Sequence, residues 1–283
     1  MSIPFVSGEE LRHLLPMDAA IDALDAVFRT NPTSPPRQHM NLDGGELLLM
    51  PSTSPAGTGV KLITLGYGNP AKDLPLVQGV YVLFSPEAHQ PVALFDGAEL
   101  TRIRTAAVSG VATQHLARPD AARLVVFGAG VQGHAHVEAM RSVRPIKDVI
   151  FIEAGEDNSA VGHADIVCTC TTSSTPVFDG ALLPPGTHVN AIGAHKPDAR
   201  ELDDTAMSSG RIVVETKAAS VTEAGDLIIP LEHGAISADV IEELGDVVLG
   251  RPRTSDEEIT IFKSVGIGFE DLAVAAAAFA RMQ

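Results

Sequence analysis

The run Leu124-Val-Val-Phe-Gly-Ala-Gly-Val-Gln-Gly133 constrains the fold of this chain more than any other stretch. Four apolar residues read as a buried strand. Gly128, Gly130 and Gly133 follow at the spacing G-x-G-x-x-G, and a helical pattern runs from about Val131 to Val143. A second apolar run, Asp148-Val-Ile-Phe-Ile-Glu153, ends on an acid. Strand, glycine turn, helix, strand and carboxylate in this order describe the opening of a Rossmann-type doubly wound α/β sheet. In such a unit the first glycine permits the tight turn. The second lets a pyrophosphate approach the backbone, and the third lets the helix pack closely on the strand. The helix N-terminus offers unpaired N–H groups to the phosphates, and Glu153 would accept hydrogen bonds from the adenosine ribose. The glycine spacing alone is a weak signal, and a βα turn of another doubly wound domain is the competing reading.

With 283 residues the chain has room for two domains of ordinary size. No apolar run is long enough to span a bilayer, and the first ten residues lack the basic and apolar regions of a signal peptide. A cytoplasmic protein is expected. A formal charge of −16 argues against nucleic acid and anionic membrane as partners, yet leaves room for a locally cationic site. Cys168 and Cys170 lack partners at metal-binding spacing, so they read as strand thiols and no metal site is expected.

Ser7-Gly-Glu-Glu10 is a capping box that opens a short helix over 9–15. Pro16 suits the first turn of a second helix, 17–28, whose Ile21, Leu24 and Phe28 keep helical spacing. After a proline-rich break, strand candidates at 46–50, 59–65, 77–85 and 91–96 predict an antiparallel α+β domain. A helix is expected over 97–116. Later strands are expected at 165–171, 188–192 and 211–215, with a further strand or extended link at 257–263. A helix closes the chain at 270–281.

The connection after Glu153 is unusually short. Only residues 154–164 precede the next strand, and a helical crossover between parallel strands needs a dozen or more residues for the helix alone. The sheet is therefore expected to lack its outer strand, leaving the strand at 148–153 as an edge unless another segment or subunit covers it.

Three cations sit in surroundings that are otherwise apolar or small. Arg37 follows Pro35-Pro36, Lys61 interrupts Gly59-Val-Lys-Leu-Ile, and Arg104 lies in Leu100-Thr-Arg-Ile-Arg-Thr-Ala-Ala107. Lys and Arg are rarely buried without a partner. That partner is either a structural carboxylate or an anionic substrate, and guanidinium groups bind carboxylates bidentately.

Segments in consistent order across nearly the whole chain resemble the ornithine cyclodeaminase/μ-crystallin family. They include Gly45–Pro51, Gly59-Val-Lys61, Leu100–Ala107, Phe127–Gln132, Asn190-Ala-Ile-Gly193, Arg200-Glu-Leu-Asp203, Glu223-Ala-Gly-Asp226 and Phe262-Lys-Ser-Val-Gly266. The resemblance implies a substrate-binding and dimerisation domain from residues 1–118 completed by 265–283. It implies an NAD(P)-binding Rossmann domain from 119–264, and a homodimer. It places Arg37 and Arg104 on a substrate carboxylate, with Lys61 near the reacting carbon and nitrogen. It places Gly128, Gly130, Val131 and Gln132 at the pyrophosphate, Glu153 at the ribose, and Thr171 and Val265 beside the nicotinamide.

His195 occupies the position where the cyclodeaminases of the family carry a catalytic Asp, so the chain is more similar to the ketimine-reducing side. His195 is then a candidate proton donor, or a surface-loop histidine. Other histidines, among them His134, His136 and His163, are expected to be solvated or on helix faces, without a role. The implied activity is NAD(P)H-dependent reduction of small cyclic imino acids, or the reverse amino acid dehydrogenation. An ammonia-releasing cyclodeaminase and a non-catalytic binder are the alternatives. NAD(H) is expected over NADP(H), because Glu153 would repel a 2′-phosphate and residues 154–164 offer no Lys or Arg to neutralise it.

Overall fold

A computed structural model describes residues 3–282. The chain separates into two compact units, residues 1–104 with 267–283, and residues 105–266.

The first unit holds β1 (Phe5–Val6), α1 (Gly8–Leu14), α2 (Met17–Phe28), β2 (Gln38–Leu42), β3 (Gly45–Ser54), β4 (Gly57–Gly66), β5 (Val77–Phe84) and β6 (Pro91–Asp96). The strands form one sheet in the order β1-β6-β5-β4-β3-β2, antiparallel from β2 to β6. The expected capping box is present: Ser7 Oγ accepts from Glu10 N–H, and the Glu10 carboxylate accepts from Ser7 N–H at 2.8 Å. The C-terminal helix, Gly268–Ala280, packs on β3, β4 and β5 and against α2, with Phe28 and Phe269 edge to face at 5.3 Å. Gly268 makes that docking close, since a Cβ there would lie 2.7 Å from the Pro51 carbonyl oxygen. Sequence patterning did not indicate β1 or β2. Every residue of β2 is exposed, so the strand has no buried face and no apolar alternation to betray it.

α3 (Gly97–Leu116) leads from one unit into the other. The second unit contains β7 (Arg123–Phe127), α4 (Val131–Val143), β8 (Asp148–Ile152), β9 (Ile166–Thr169), β10 (His188–Ala191), β11 (Arg211–Val214), β12 (Ile241–Glu243) and β13 (Thr260–Lys263). All pairings are parallel, in the order β12-β11-β13-β10-β9-β7-β8. β9, β10 and β13 are buried along their whole length, as strands covered on both faces must be. The segment expected as a strand or link at 257–263 is thus a central strand.

β8 ends the sheet, as the short connection implied. In place of a helix, strand and helix, the chain makes one 3-10 turn, Ser159–His163, whose Val161 is fully buried, and enters β9. The sheet still counts seven strands. β11 and β12 lengthen the opposite end, while no strand among the described residues pairs with β8 on its outer side.

Candidate active site: two clusters of buried charge

In the first unit the period-2 alternation of β4 sends Lys61 to the buried face. Its neighbours across the strands are Met50 on β3 and Tyr81 on β5. The C-terminal helix supplies two acids in its first turn, Glu270 and Asp271. Lys61 Nζ donates to Asp271 Oδ1 at 2.8 Å. Arg104 bridges both acids, with one Nη 3.1 Å from Glu270 Oε2 and Nε 3.3 Å from Asp271 Oδ1. Lys61, Glu270 and Asp271 are fully buried, and Arg104 nearly so. Arg37 is half-buried just before β2, and its charge reaches Lys61.

Burial is the main force lowering the Lys61 pKa, to about 8; Arg104 and Arg37 add to it, and Asp271 opposes it. Tyr81 lies fully buried beside Gly59, where a Cβ would collide with its hydroxyl. Its pKa is pushed well up, first by burial and then by the charge of Asp271. Tyr81 Oη and Asp271 Oδ2 have no hydrogen-bond partner among the described residues. Two buried cations, Lys61 and Arg104, share two buried carboxylates, and the Arg37 charge acts on the same group.

Sequence reasoning assigned Arg37, Lys61 and Arg104 but missed Glu270 and Asp271. The available signal was a pair of adjacent acids opening an otherwise apolar helix, which reads equally well as ordinary N-terminal helix chemistry. Of the two explanations offered for the cations, the structure shows structural carboxylates for Lys61 and Arg104.

In the second unit each glycine of the turn is required for a different reason. Gly128 has φ +91°, and a Cβ there would sit 2.9 Å from the Cys170 carbonyl oxygen. A Cβ on Gly133 would lie 2.0 Å from the Gly128 carbonyl oxygen, so α4 can pack on β7 only without one. A Cβ on Gly130 would meet nothing within 4 Å. Its bareness serves no internal packing, and it leaves the start of α4 open to a phosphate group, as does the exposed Val131 beside it. Gln132 follows in the first turn of α4. Glu153 is exposed at the end of β8, and its Oε1 accepts from Ala129 N–H at 3.1 Å, which places the acid beside the turn. These residues fit a dinucleotide.

The ends of the central strands are held by buried acids that sequence reasoning left without a role. Glu201, fully buried, accepts from Thr171 N–H and Oγ1 at 2.8 and 2.7 Å, Thr169 Oγ1 at 2.8 Å, and Gly193 N–H at 2.6 Å. Asp226 accepts from the backbone N–H groups of Glu201 and Leu202 and pairs with Lys263 at 2.8 Å. Glu215 accepts from Ser264 Oγ, Val265 N–H and Gly266 N–H. Thr171 and Val265 are thereby fixed after β9 and β13, where the nicotinamide side was expected. In a lone sequence such acids look like loop acids, because their partners are backbone groups remote along the chain.

His195 is half-buried just beyond β10, with Nδ1 3.3 Å from the Gly193 carbonyl oxygen. It belongs to the second unit and Lys61 to the first. His136, expected to be solvated or on a helix face, is fully buried between Ser109 Oγ and the Gln132 carbonyl oxygen. Burial lowers its pKa to about 4, so it stays neutral and braces the first turn of α4. Burial raises the Cys168 thiol to about 12, which removes it as a nucleophile.

The model of the ornithine cyclodeaminase/mu-crystallin family matches residues 5–158 and 150–283. The chain belongs to this family. The two matched stretches overlap at 150–158, the place where β8 gives way to the short link. A Delta(1)-pyrroline-2-carboxylate reductase of Bacillus cereus is 35% identical, with 95% of this chain and 94% of the relative covered. That comparison runs over 305 positions against a chain of 283, so at least 22 positions have no counterpart here. The structure of Thermococcus litoralis Delta(1)-pyrroline-2-carboxylate reductase in complex with NADH and L-proline aligns with TM-score 0.92 at 31% identity. It covers 99% of this chain and 97% of that one. An archaeal alanine dehydrogenase dimer with bound NAD aligns with TM-score 0.91 at 30% identity, covering 99% and 96%. No described helix is long and apolar enough to cross a membrane.

Proposed function

We propose that this protein is an NAD(H)-dependent reductase of small cyclic imino acids of the pyrroline-carboxylate type, able to run in reverse as an amino acid dehydrogenase. The observation that carries the reading is the buried Lys61–Arg104 cluster, with the charge of Arg37 acting on Lys61. The reductases among its relatives support it. Arg37 and Arg104 hold the substrate carboxylate, and the glycine turn with Glu153, Thr171 and Val265 holds the cofactor. NADH, when bound, supplies the hydride. Lys61, with a pKa near 8, is protonated at neutral pH yet close to release, which suits a donor that keeps the imine nitrogen protonated. His195 is a second proton source. Glu153, with Glu156 close by in the link, disfavours the 2′-phosphate of NADP(H). A cytoplasmic homodimer acting without metal completes the reading.

The decisive experiment incubates the protein with NADH and Δ1-pyrroline-2-carboxylate, and separately with NAD and L-proline, L-alanine or L-ornithine. NADH oxidation with formation of proline is expected. Ammonia released from ornithine without net NADH turnover would instead identify a cyclodeaminase, and failure of every pair would leave a binding protein.

A further inference from the structure

A dinucleotide fold is two mononucleotide-binding halves joined back to back, with strand order 3-2-1-4-5-6. In this chain β8, β7, β9, β10 and β13 stand at positions 2, 1, 4, 5 and 6. Position 3 is empty, so the halves are unequal. The half that would hold the nicotinamide nucleotide has all three strands, and its loops are pinned by Glu201, Asp226 and Glu215. The half that would hold the adenosine has two strands and a single 3-10 turn, Ser159–His163, where a helix, strand and helix would stand. The family model breaks into two matches across 150–158, the same place, and the length of the alignment with the B. cereus relative shows that at least 22 of its positions are absent from this chain. What remains on that side is an exposed Glu153 followed by the exposed acids Glu156 and Asp157.

We propose that the protein recognises its cofactor chiefly through the nicotinamide nucleotide and its phosphate, and that reduced nicotinamide mononucleotide is a ligand and hydride donor for it. The proposal rests on the cofactor reading given above. The glycine turn receives the single phosphate, and the loops after β9, β10 and β13 receive the nicotinamide. The adenosine adds little, because one wall of its site is gone. The balance of the reaction is unchanged: dihydronicotinamide loses a hydride to the imine carbon and becomes the oxidised mononucleotide, while the imine nitrogen takes the proton.

The test is a fluorescence titration of the full chain with NADH and with reduced nicotinamide mononucleotide, run in parallel on the T. litoralis reductase. If about 80 Å² of apolar contact is missing at ~25 cal/mol per Å², the adenosine contributes roughly thirtyfold less to binding here. The ratio of the two dissociation constants should then be about thirtyfold smaller in this protein. Gly130→Val keeps an ordinary backbone conformation and meets no neighbour, so the variant should fold. It should abolish binding of both ligands, showing that both use the turn. Equal ratios in the two proteins, no binding of the mononucleotide, or mononucleotide binding that survives Gly130→Val would each overturn the proposal. NADH-dependent imine reduction without mononucleotide binding would sink this inference alone. Mononucleotide binding without any imine reduction would sink the proposed reaction and leave this inference standing.

Discussion

Asp271→Asn is the most informative single change, because one carboxylate oxygen serves both buried cations. Asp271 Oδ1 lies 2.8 Å from Lys61 Nζ and 3.3 Å from Arg104 Nε. The amide keeps the shape and removes the charge. Lys61 then faces Arg104 and Arg37 while fully buried, and its pKa should fall below the present value of about 8. The sign for stability follows from proton counts. A lysine whose folded pKa lies below its unfolded 10.5 binds fewer protons folded than unfolded, so stability rises with pH between the two values. In the wild type that window runs from about 8 to 10.5; in the variant it begins lower. Each unit of further depression costs about 1.4 kcal/mol at acid pH and nothing above pH ~8. Breaking the buried pair costs roughly 3–5 kcal/mol in total. The melting-temperature deficit of the variant should therefore be larger at pH 6 than at pH 9, by roughly 3 °C per unit of pKa lost. The alkaline limb of kcat/KM for imine reduction should move acidward by at least about one unit. A pH-independent deficit together with an unmoved limb would refute the claim that Asp271 sets the charge of Lys61.

The other expectations are more direct. Arg104→Ala takes from Glu270 its buried cation and leaves Asp271 with Lys61 alone, so it should cost stability as well as activity. Arg104→Lys is the cleaner probe, since it keeps the charge and loses the fork; kcat/KM should fall about a hundredfold, near 3 kcal/mol, with little change in melting temperature. Turnover within threefold of wild type would remove Arg104 from the substrate. Steady-state kinetics should favour NADH over NADPH, and Glu153→Ser should narrow the gap; tighter use of NADPH by the wild type would sink the role given to Glu153. Calorimetric titration should show NADH binding about thirtyfold more weakly than to the T. litoralis reductase, and a low-nanomolar dissociation constant would contradict the open adenine side.

Local pattern alone determined much of this protein. α2, α3, α4 and β6 lie where periodicity, glycine turns and caps place them. The connection after Glu153 revealed a missing strand by its length, because chain reach is a geometric limit that no packing can relax. Lys61 and Arg104 stood out because a cation in an apolar run demands a partner. Which partners they have was decided only by tertiary structure. Asp271 lies 210 residues from Lys61 along the chain, and the acids that organise the nucleotide side, Glu201, Asp226 and Glu215, bind mainly backbone groups. Backbone N–H groups carry no mark of residue type, so a carboxylate that binds them leaves no pattern in the sequence. β2 escaped notice for a related reason: a strand exposed on both faces has no hydrophobic alternation. A period, a cap or a chain length is a local property. The pairing of buried charges depends on which distant elements the folded chain brings within a few ångströms.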